Sequence, residues 1–168
     1  VSLDLGVHLH NMIHFLTGEK PLRVISAQNN FGNFNGIVDN VICMAEYTNN
    51  IVCNFWFGKT ALGFSNGLKL RILGKKGSVE WFQLRPEELL YNDNFGNRYL
   101  IDKGSNNLKI ASQDRYTRFK AGHPSGFIEA LANYYYDISI ALNEYRNKKK
   151  TNSQFIFSIE DAYESLKF

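Results

Sequence analysis

Three polar side chains near the start of the chain have types and spacings that suit acid–base chemistry. Asp4, His8 and Asn11 are separated by four and three residues, so a helix would place them along one stripe of its surface. A carboxylate one turn from an imidazole orients the ring and tends to raise its pKa, which suits a general acid or base near neutral pH. The row therefore predicts a site for proton transfer.

Two other interpretations fit the same spacing. Asp4 and His8 could be a surface helix pair that contributes little stability. They could also share a metal ion, but a catalytic zinc would need a third ligand such as His123. His10 lies two residues from His8 and points about 200° away from it, so we interpret His10 and His14 as exposed or partly packed.

An amphipathic helix is predicted to position the polar row. Its apolar stripe is Leu5, Leu9, Met12 and Leu16, which repeat at helical spacing and indicate a buried side. Gly18 is the expected C-cap, because glycine adopts the left-handed conformation without steric cost. A helix anchored in a core holds functional groups more rigidly than a loop does.

Several segments also carry patterns that occur together in one enzyme family. They are Asp4-x-Gly6-x-His8-x-x-Asn11, then Phe15-Leu16-x-Gly18, and the segments 74–81 and 121–127. Together they resemble the C-terminal domain of the Gfo/Idh/MocA family of NAD(P)-dependent sugar and polyol oxidoreductases. The resemblance runs along the whole chain, although Asn11 stands where the family usually has Asp.

The resemblance implies roles for the polar row. In the family, the histidine at the position of His8 takes part in proton transfer with a lysine of the nucleotide-binding domain. The aspartate at the position of Asp4 contacts substrate hydroxyls. Asn11 would still bind a hydroxyl group, but it supplies no charge. We therefore expect Asp4 and His8 to be catalytic, and Asp4 and Asn11 to bind substrate.

Further substrate contacts are expected later in the chain. His123 precedes a predicted helix and resembles a Gly-His-Pro segment near the sugar pocket of some family members; a simple capping turn is the alternative. Backbone amides at such a helix start favour anions and oxygen-rich ligands. Arg115 and Arg118, in the loop before it, are candidates for binding a hydroxylated or anionic substrate.

The cofactor is expected to bind elsewhere. The sequence contains no Gly-x-Gly-x-x-Gly run and starts within the motif at Val1. We therefore expect a piece of a longer protein whose N-terminal Rossmann domain binds NAD or NADP, and we expect this chain alone to be inactive. The Glu19-Lys20-Pro21 tripeptide matches the family's catalytic-lysine motif, but it follows a helix cap, so Lys20 is interpreted as non-catalytic.

The element order predicts an α+β fold over residues 1–168. Strands are expected at 22–31, 38–47 and 51–62, followed by further strands and two helices. Asn49-Asn50 is expected as the hairpin loop between the second and third strands, because asparagine tolerates the positive φ that such turns need. The first of the two later helices is expected from Pro124 to Tyr145, and a capping box formed by Ser158 and Asp161 is expected to open the second. We expect one large, predominantly antiparallel open sheet with helices packed on one face. The third strand is apolar on both sides, so the other face is expected to mediate a homodimer or homotetramer.

Net charge and composition argue against two classes of function, nucleic-acid binding and membrane insertion. The net charge of +3 is too small to indicate nucleic acid, and no apolar run is long enough for a membrane span. Cys43 and Cys53 lie in apolar runs, which favours free thiols in a reducing cytoplasm. The alternative to an enzyme is a non-catalytic binding or scaffold module that dimerises through its sheet, and Asn11 in place of Asp favours it.

Overall fold

The computed structural model describes residues 1–106, 108–151, 153 and 155–168, which form two compact units. The first contains residues 1–63 and 157–168, and the second contains residues 64–156. The helices are α1 (Val7–Thr17), α2 (Phe127–Arg146) and α3 (Ile159–Lys167). The strands are β1 (Pro21–Asn29), β2 (Asn40–Tyr47), β3 (Ile51–Gly58), β4 (Lys69–Gly74), β5 (Gly77–Phe82), β6 (Leu89–Asp93) and β7 (Arg98–Ile101).

The predicted α+β class with antiparallel strands is confirmed. The strands form two hydrogen-bonded sheets, β1-β2-β3 and β4-β5-β6-β7, where one large sheet was expected. In the first sheet the β2–β3 connection is a tight turn, Thr48–Asn50. Asn49 and Asn50 have φ of 56° and 59°, as predicted, because asparagine tolerates positive φ better than most residues.

The core of the first unit lies on one face of β2 and β3. Its buried hydrophobic residues are Cys43, Ala45, Tyr47 and Phe55. Leu9 and Ile13 of α1 pack against them together with Phe168 at the end of the chain. The predicted helical cover on one face is therefore present. Both cysteines are free thiols, as expected.

The first helical turn differs from the regular helix that was predicted. Ser2–Gly6 forms a wider π-helical turn that leads directly into α1. Gly6 is buried, and a Cβ atom there would lie 3.2 Å from the Phe57 ring. Glycine thus lets the turn lie directly against β3. At the other end, Gly18 adopts φ of 72° and donates to the His14 carbonyl at 2.7 Å, which confirms the predicted C-cap.

The second unit contains the four-stranded sheet and α2. Gly77 turns the chain between β4 and β5 at φ of 152°, and a Cβ there would lie only 2.3 Å from the Asn92 carbonyl oxygen. Helix α2 begins at Phe127, three residues later than Pro124, where it was expected. Glu129 closes its first turn by accepting the Gly126 N–H at 2.8 Å. Across the described residues, no helix has the length and hydropathy that a bilayer crossing requires.

The buried side of α1 is rotated about the helix axis relative to the predicted stripe of Leu5, Leu9, Met12 and Leu16. Leu16 is 45% exposed, whereas His10 is only 3% exposed, so the interpretation of His10 as exposed or partly packed is wrong. His10 Nδ1 lies 3.2 Å from Tyr47 Oη, and its ring stacks on Phe168 at 5.0 Å between centroids. Burial lowers the pKa of His10, the nearby His14 lowers it further, and Glu164 partly opposes them.

This burial predicts acid destabilisation of the first unit. Because the pKa of His10 is lower in the folded state than its usual value of 6.5, the unfolded state binds the proton more readily. The stabilising contribution is complete above that value. It is lost as pH falls through the folded pKa, at up to about 1.4 kcal/mol per pH unit. Urea unfolding between neutral and mildly acidic pH measures it.

The variant His10→Leu should flatten this pH dependence of the free energy of unfolding. His8→Gln removes an exposed imidazole from the same helix and should leave the dependence intact. An equal slope in wild type and His10→Leu would show that His10 does not control acid stability.

Candidate active site

Asp4 and His8 both lie at the exposed start of the α1 region, as the spacing predicted. The Asp4 carboxylate, however, forms an ion pair with Lys59, the residue directly after β3. The hydrogen bond and charge of Lys59 lower the pKa of Asp4, and the charge of His8 lowers it further to a smaller extent. Asp4 is therefore ionised at neutral pH.

The His8 imidazole is exposed on the first turn of α1. Within the described residues it makes no hydrogen bond or ion pair, so both ring nitrogens are available to a ligand. The carboxylate that was expected to orient it is engaged with Lys59 instead. His8 can therefore exchange a proton with a bound molecule without first breaking an internal contact.

Asn11 has a packing contact in this chain. Its side-chain oxygen accepts a hydrogen bond from Ser165 Oγ, which is buried on α3. The same hydroxyl lies 2.8 Å from the Asp161 carbonyl oxygen. Asn11 thus connects α1 to α3, and its expected role in binding substrate stays a prediction.

Arg115 is held by a buried carboxylate. Its Nη1 and Nη2 atoms each donate to Asp137 at 2.8 Å, and Nη2 also donates to the Asn133 carbonyl at 2.9 Å. The guanidinium lies 5.1 Å from the ring centroids of Tyr116 and Tyr136. Hydrogen bonding from Arg115 lowers the pKa of Asp137 against the effect of its burial. This arrangement joins the 115–118 segment to α2.

Arg118 is exposed and binds the same part of α2, donating to Asn133 Oδ1 at 2.9 Å. The structure thus brings Arg115 and Arg118 together on Asn133. Asp4, His8 and Asn11 lie together in the other unit. The predicted substrate role of both arginines remains untested.

His123 has an exposed side chain on a firmly held backbone. Its carbonyl accepts a hydrogen bond from Lys103 Nζ at 2.9 Å, and the same ammonium pairs with Glu87 at 2.8 Å. Glu87 also accepts the backbone N–H of Ser125 at 2.9 Å. Hydrogen bonds from Lys103 and Ser125 lower the pKa of Glu87 to about 2. The segment before α2 is therefore fixed, while the imidazole remains available.

The sequence did not indicate that Lys59 pairs with Asp4 or that Asp137 pairs with Arg115. These two partners determine the contacts that Asp4 and Arg115 make. Lys59 does carry a signal, because a charged residue directly follows an apolar strand. No pattern in the sequence pairs it with Asp4, since the pairing depends on the packing of the π-helical turn against β3. Among the described residues, no group of three or more His, Cys, Asp or Glu side chains is arranged to hold a metal ion.

Comparison with known proteins finds a family profile and a relative that are similar to this chain. A family profile described as "GFO/IDH/MocA C-terminal domain" matches residues 1–80. The "Uncharacterized oxidoreductase YfiI" of Bacillus subtilis (strain 168) is 27% identical over 143 residues, which are 83% of this chain and 36% of that protein. The chain thus spans little more than a third of that relative.

Solved structures show the same fold. An oxidoreductase from Sinorhizobium meliloti matches with a TM-score of 0.82 and 23% identity, over 98% of this chain and 46% of that chain. An inositol dehydrogenase homolog from Azotobacter vinelandii, complexed with NADH and myo-inositol, matches with a TM-score of 0.79 and 23% identity, over 86% of this chain and 38% of that chain. The matched profile includes the Asp4–His8 row, and over residues 1–80 the chain is similar to the C-terminal domain of the Gfo/Idh/MocA family.

Proposed function

We propose that the complete protein is an NAD(P)-dependent oxidoreductase acting on a sugar, sugar derivative or polyol, and that this chain is its substrate-binding half. The relatives are named as oxidoreductases and are much longer than this chain. One structural neighbour is described with NADH and myo-inositol bound. The free thiols of Cys43 and Cys53, whose pKa values burial raises, favour a reducing cytoplasmic location.

The observation that carries the proposal is an exposed imidazole beside an ionised carboxylate on a helix that the core anchors. His8 would take the proton of a substrate hydroxyl as the C–O bond gains double-bond character. Asp4 would accept a hydrogen bond from a neighbouring hydroxyl. Leu9 and Ile13 fix the helix that carries both groups.

The nicotinamide that accepts the hydride must be held by the rest of the protein. Dinucleotides bind where a glycine-rich turn joins a parallel strand to a helix. The described strands pair only in antiparallel fashion, and the sequence has no matching glycine run. The residues of this chain therefore do not fit the adenine dinucleotide.

Loss of the His8 imidazole should abolish most turnover. In the complete protein, His8→Ala should lower kcat by about 10²–10⁴-fold, because a positioned acid–base group contributes that much. The side chain is exposed, so thermal unfolding should be unchanged. Formation of NAD(P)H from a panel of polyols and sugars measures the effect.

His14→Gln is the matched control. His14 lies on the same helix but bonds the Glu19 carbonyl at 3.2 Å and pairs with Asp161 at 3.7 Å. Its replacement should affect stability and not kcat. Near-normal turnover by His8→Ala would leave His8 as an ordinary exposed helix residue and remove the main support for the enzyme.

Isothermal titration calorimetry tests whether the cofactor binds outside this chain. The 168-residue chain should show no micromolar binding of NADH or NADPH, whereas the complete protein should bind one of them. Micromolar binding by the chain alone would contradict the two-domain proposal.

Several apolar side chains on the outward face of β1–β3 are exposed among the residues that the structure describes. The residues concerned are Ile25, Ile42, Met44, Val52 and Trp56. The register places Ile25 opposite Met44, and Ile42 opposite Trp56, so these side chains form one continuous surface. Contiguous exposed apolar surface of this kind marks an interaction site. We propose that a second copy covers it in a homodimer or homotetramer.

The same surface supports the second candidate function, a non-catalytic module that uses the sheet as a protein interface. The engagement of Asn11 with Ser165 is consistent with it. The kinetics of His8→Ala separate the two candidates, because a scaffold would show no NAD(P)-linked turnover to lose.

Trp56, which is 72% exposed, gives a direct test of assembly. Trp56→Glu should shift sedimentation from dimer or larger to monomer, because a carboxylate cannot be buried in an apolar interface without a partner. Leu62→Glu, in an exposed segment beyond β3, is the control and should leave the assembly unchanged. A wild-type protein that stays monomeric at high concentration would refute this interface.

A further inference from the structure

The loop between β1 and β2 presents three large apolar side chains to solvent. Phe31, Phe34 and Ile37 are 68%, 73% and 57% exposed. All three lie in the short stretch 31–37, whereas exposed apolar residues on a protein surface are normally scattered singly. Apolar side chains grouped in this way indicate a surface that another part of the protein covers.

The same loop is fixed by hydrogen bonds of its own. The Asp39 carboxylate accepts the backbone N–H of Phe31 at 3.0 Å. Asn30 Nδ2 donates to the Phe34 carbonyl at 2.7 Å, and the Ile37 N–H donates to that carbonyl at 3.2 Å. The apolar side chains are therefore exposed on an ordered backbone, so covering them costs little entropy.

This loop lies at the end of the first sheet where α1 begins. Lys59, directly after β3, donates its backbone N–H to the Asp39 carbonyl at 2.8 Å, and its ammonium pairs with Asp4. Asp39 thus joins the loop to the end of β3, and Lys59 joins the end of β3 to the turn that leads into α1. Because His8 lies about one helical turn beyond Asp4, the apolar loop and the candidate acid–base group share one end of this unit.

The proposed reaction determines what approaches that end of the sheet. Hydride transfer requires the nicotinamide to lie against the substrate carbon whose hydroxyl proton His8 takes. The half of the protein that holds the cofactor therefore has to dock beside His8. A domain of about 150 residues has a radius of gyration of about 15 Å, so its contact area extends past the reacting groups onto the surface around them.

We propose that Phe31, Phe34 and Ile37 form a docking surface for the nucleotide-binding half of the complete protein. This deepens the proposed function and rests on it. Burial of the three side chains would stabilise the contact between the halves and hold the nicotinamide at a fixed distance from His8. The three are positioning residues, because they act on the reaction through the domain that they hold.

Photo-crosslinking in the complete protein identifies what covers the loop. The photoreactive analogue p-benzoylphenylalanine is incorporated in place of Phe34, and mass spectrometry maps the peptide that it captures on irradiation. We expect capture of peptides from the nucleotide-binding half of the same copy. The Trp56→Glu background, which should be monomeric, should give the same product.

The same analogue in place of Phe95 is the matched control. Phe95 is 84% exposed in the turn between β6 and β7 and should capture no peptide of the nucleotide-binding half. Capture at position 34 of another copy or of residues 64–156, no capture, or equal yields at positions 34 and 95 would each overturn the docking surface.

The kinetics of Phe34→Asp in the complete protein give an independent measurement. An ionised side chain is costly to bury in an apolar contact, so docking should weaken and kcat should fall about 10-fold or more. The affinity for NADH should be unchanged, since the other half holds the cofactor. Phe95→Asp should change neither quantity. A normal kcat in Phe34→Asp would overturn the docking surface and leave the proposed oxidoreductase intact.

Turnover and crosslinking together separate the two levels of inference. If wild type shows NAD(P)-linked turnover but position 34 captures nothing from the other half, the proposed reaction stands and the docking surface fails. If wild type shows no such turnover and the expected crosslink forms, the proposed function fails and the docking surface stands.

Discussion

The packing of α1 against the inward face of β2 and β3 is the contact on which the candidate site depends. Ala45 and Tyr47 are almost inaccessible there, and Leu9 and Ile13 press on them from the helix. Because apolar burial fixes the rotation of α1 about its axis, it also determines where the polar side of that helix points. Asp4 and His8 are exposed because the opposite side of the same segment is buried.

The Arg115–Asp137 and Asp4–Lys59 ion pairs differ in burial and therefore in what they contribute to stability. Arg115 and Asp137 are largely buried, make two parallel hydrogen bonds and lie among aromatic rings, so losing one partner would leave a buried charge. Asp4 and Lys59 are exposed, so their pairing contributes little stability. The first arrangement holds a segment to a helix. The second leaves both charged groups in contact with solvent.

Short sequence patterns predicted the caps and turns, because these depend on interactions between residues that are close in the chain. The αL cap at Gly18, the positive φ of Asn49 and Asn50, and the capping box in which Ser158 and Asp161 start α3 were all expected from residue type and spacing. Such preferences act within a few residues and do not depend on the rest of the fold.

Features set by long-range packing were not predictable in the same way. The burial of His10 follows from its contacts with Tyr47 and Phe168, and the role of Lys59 follows from the π-helical turn lying on β3. The sequence shows polar residues at these positions, but not which distant groups they will meet. The division of the strands into two sheets is a further result of tertiary pairing.

The absence of a side chain at Gly6 has a consequence for how such a site can diverge. The ring of Phe57 lies 3.2 Å from the position that a methyl group there would take. Even the smallest substitution would therefore press on the ring, and the turn or the ring would have to shift by a few tenths of an ångström. It would move the carboxylate relative to the ammonium while leaving both residues, and the imidazole, chemically unchanged. A substitution at Gly6 would therefore change the geometry of the Asp4–Lys59 pair without replacing either partner.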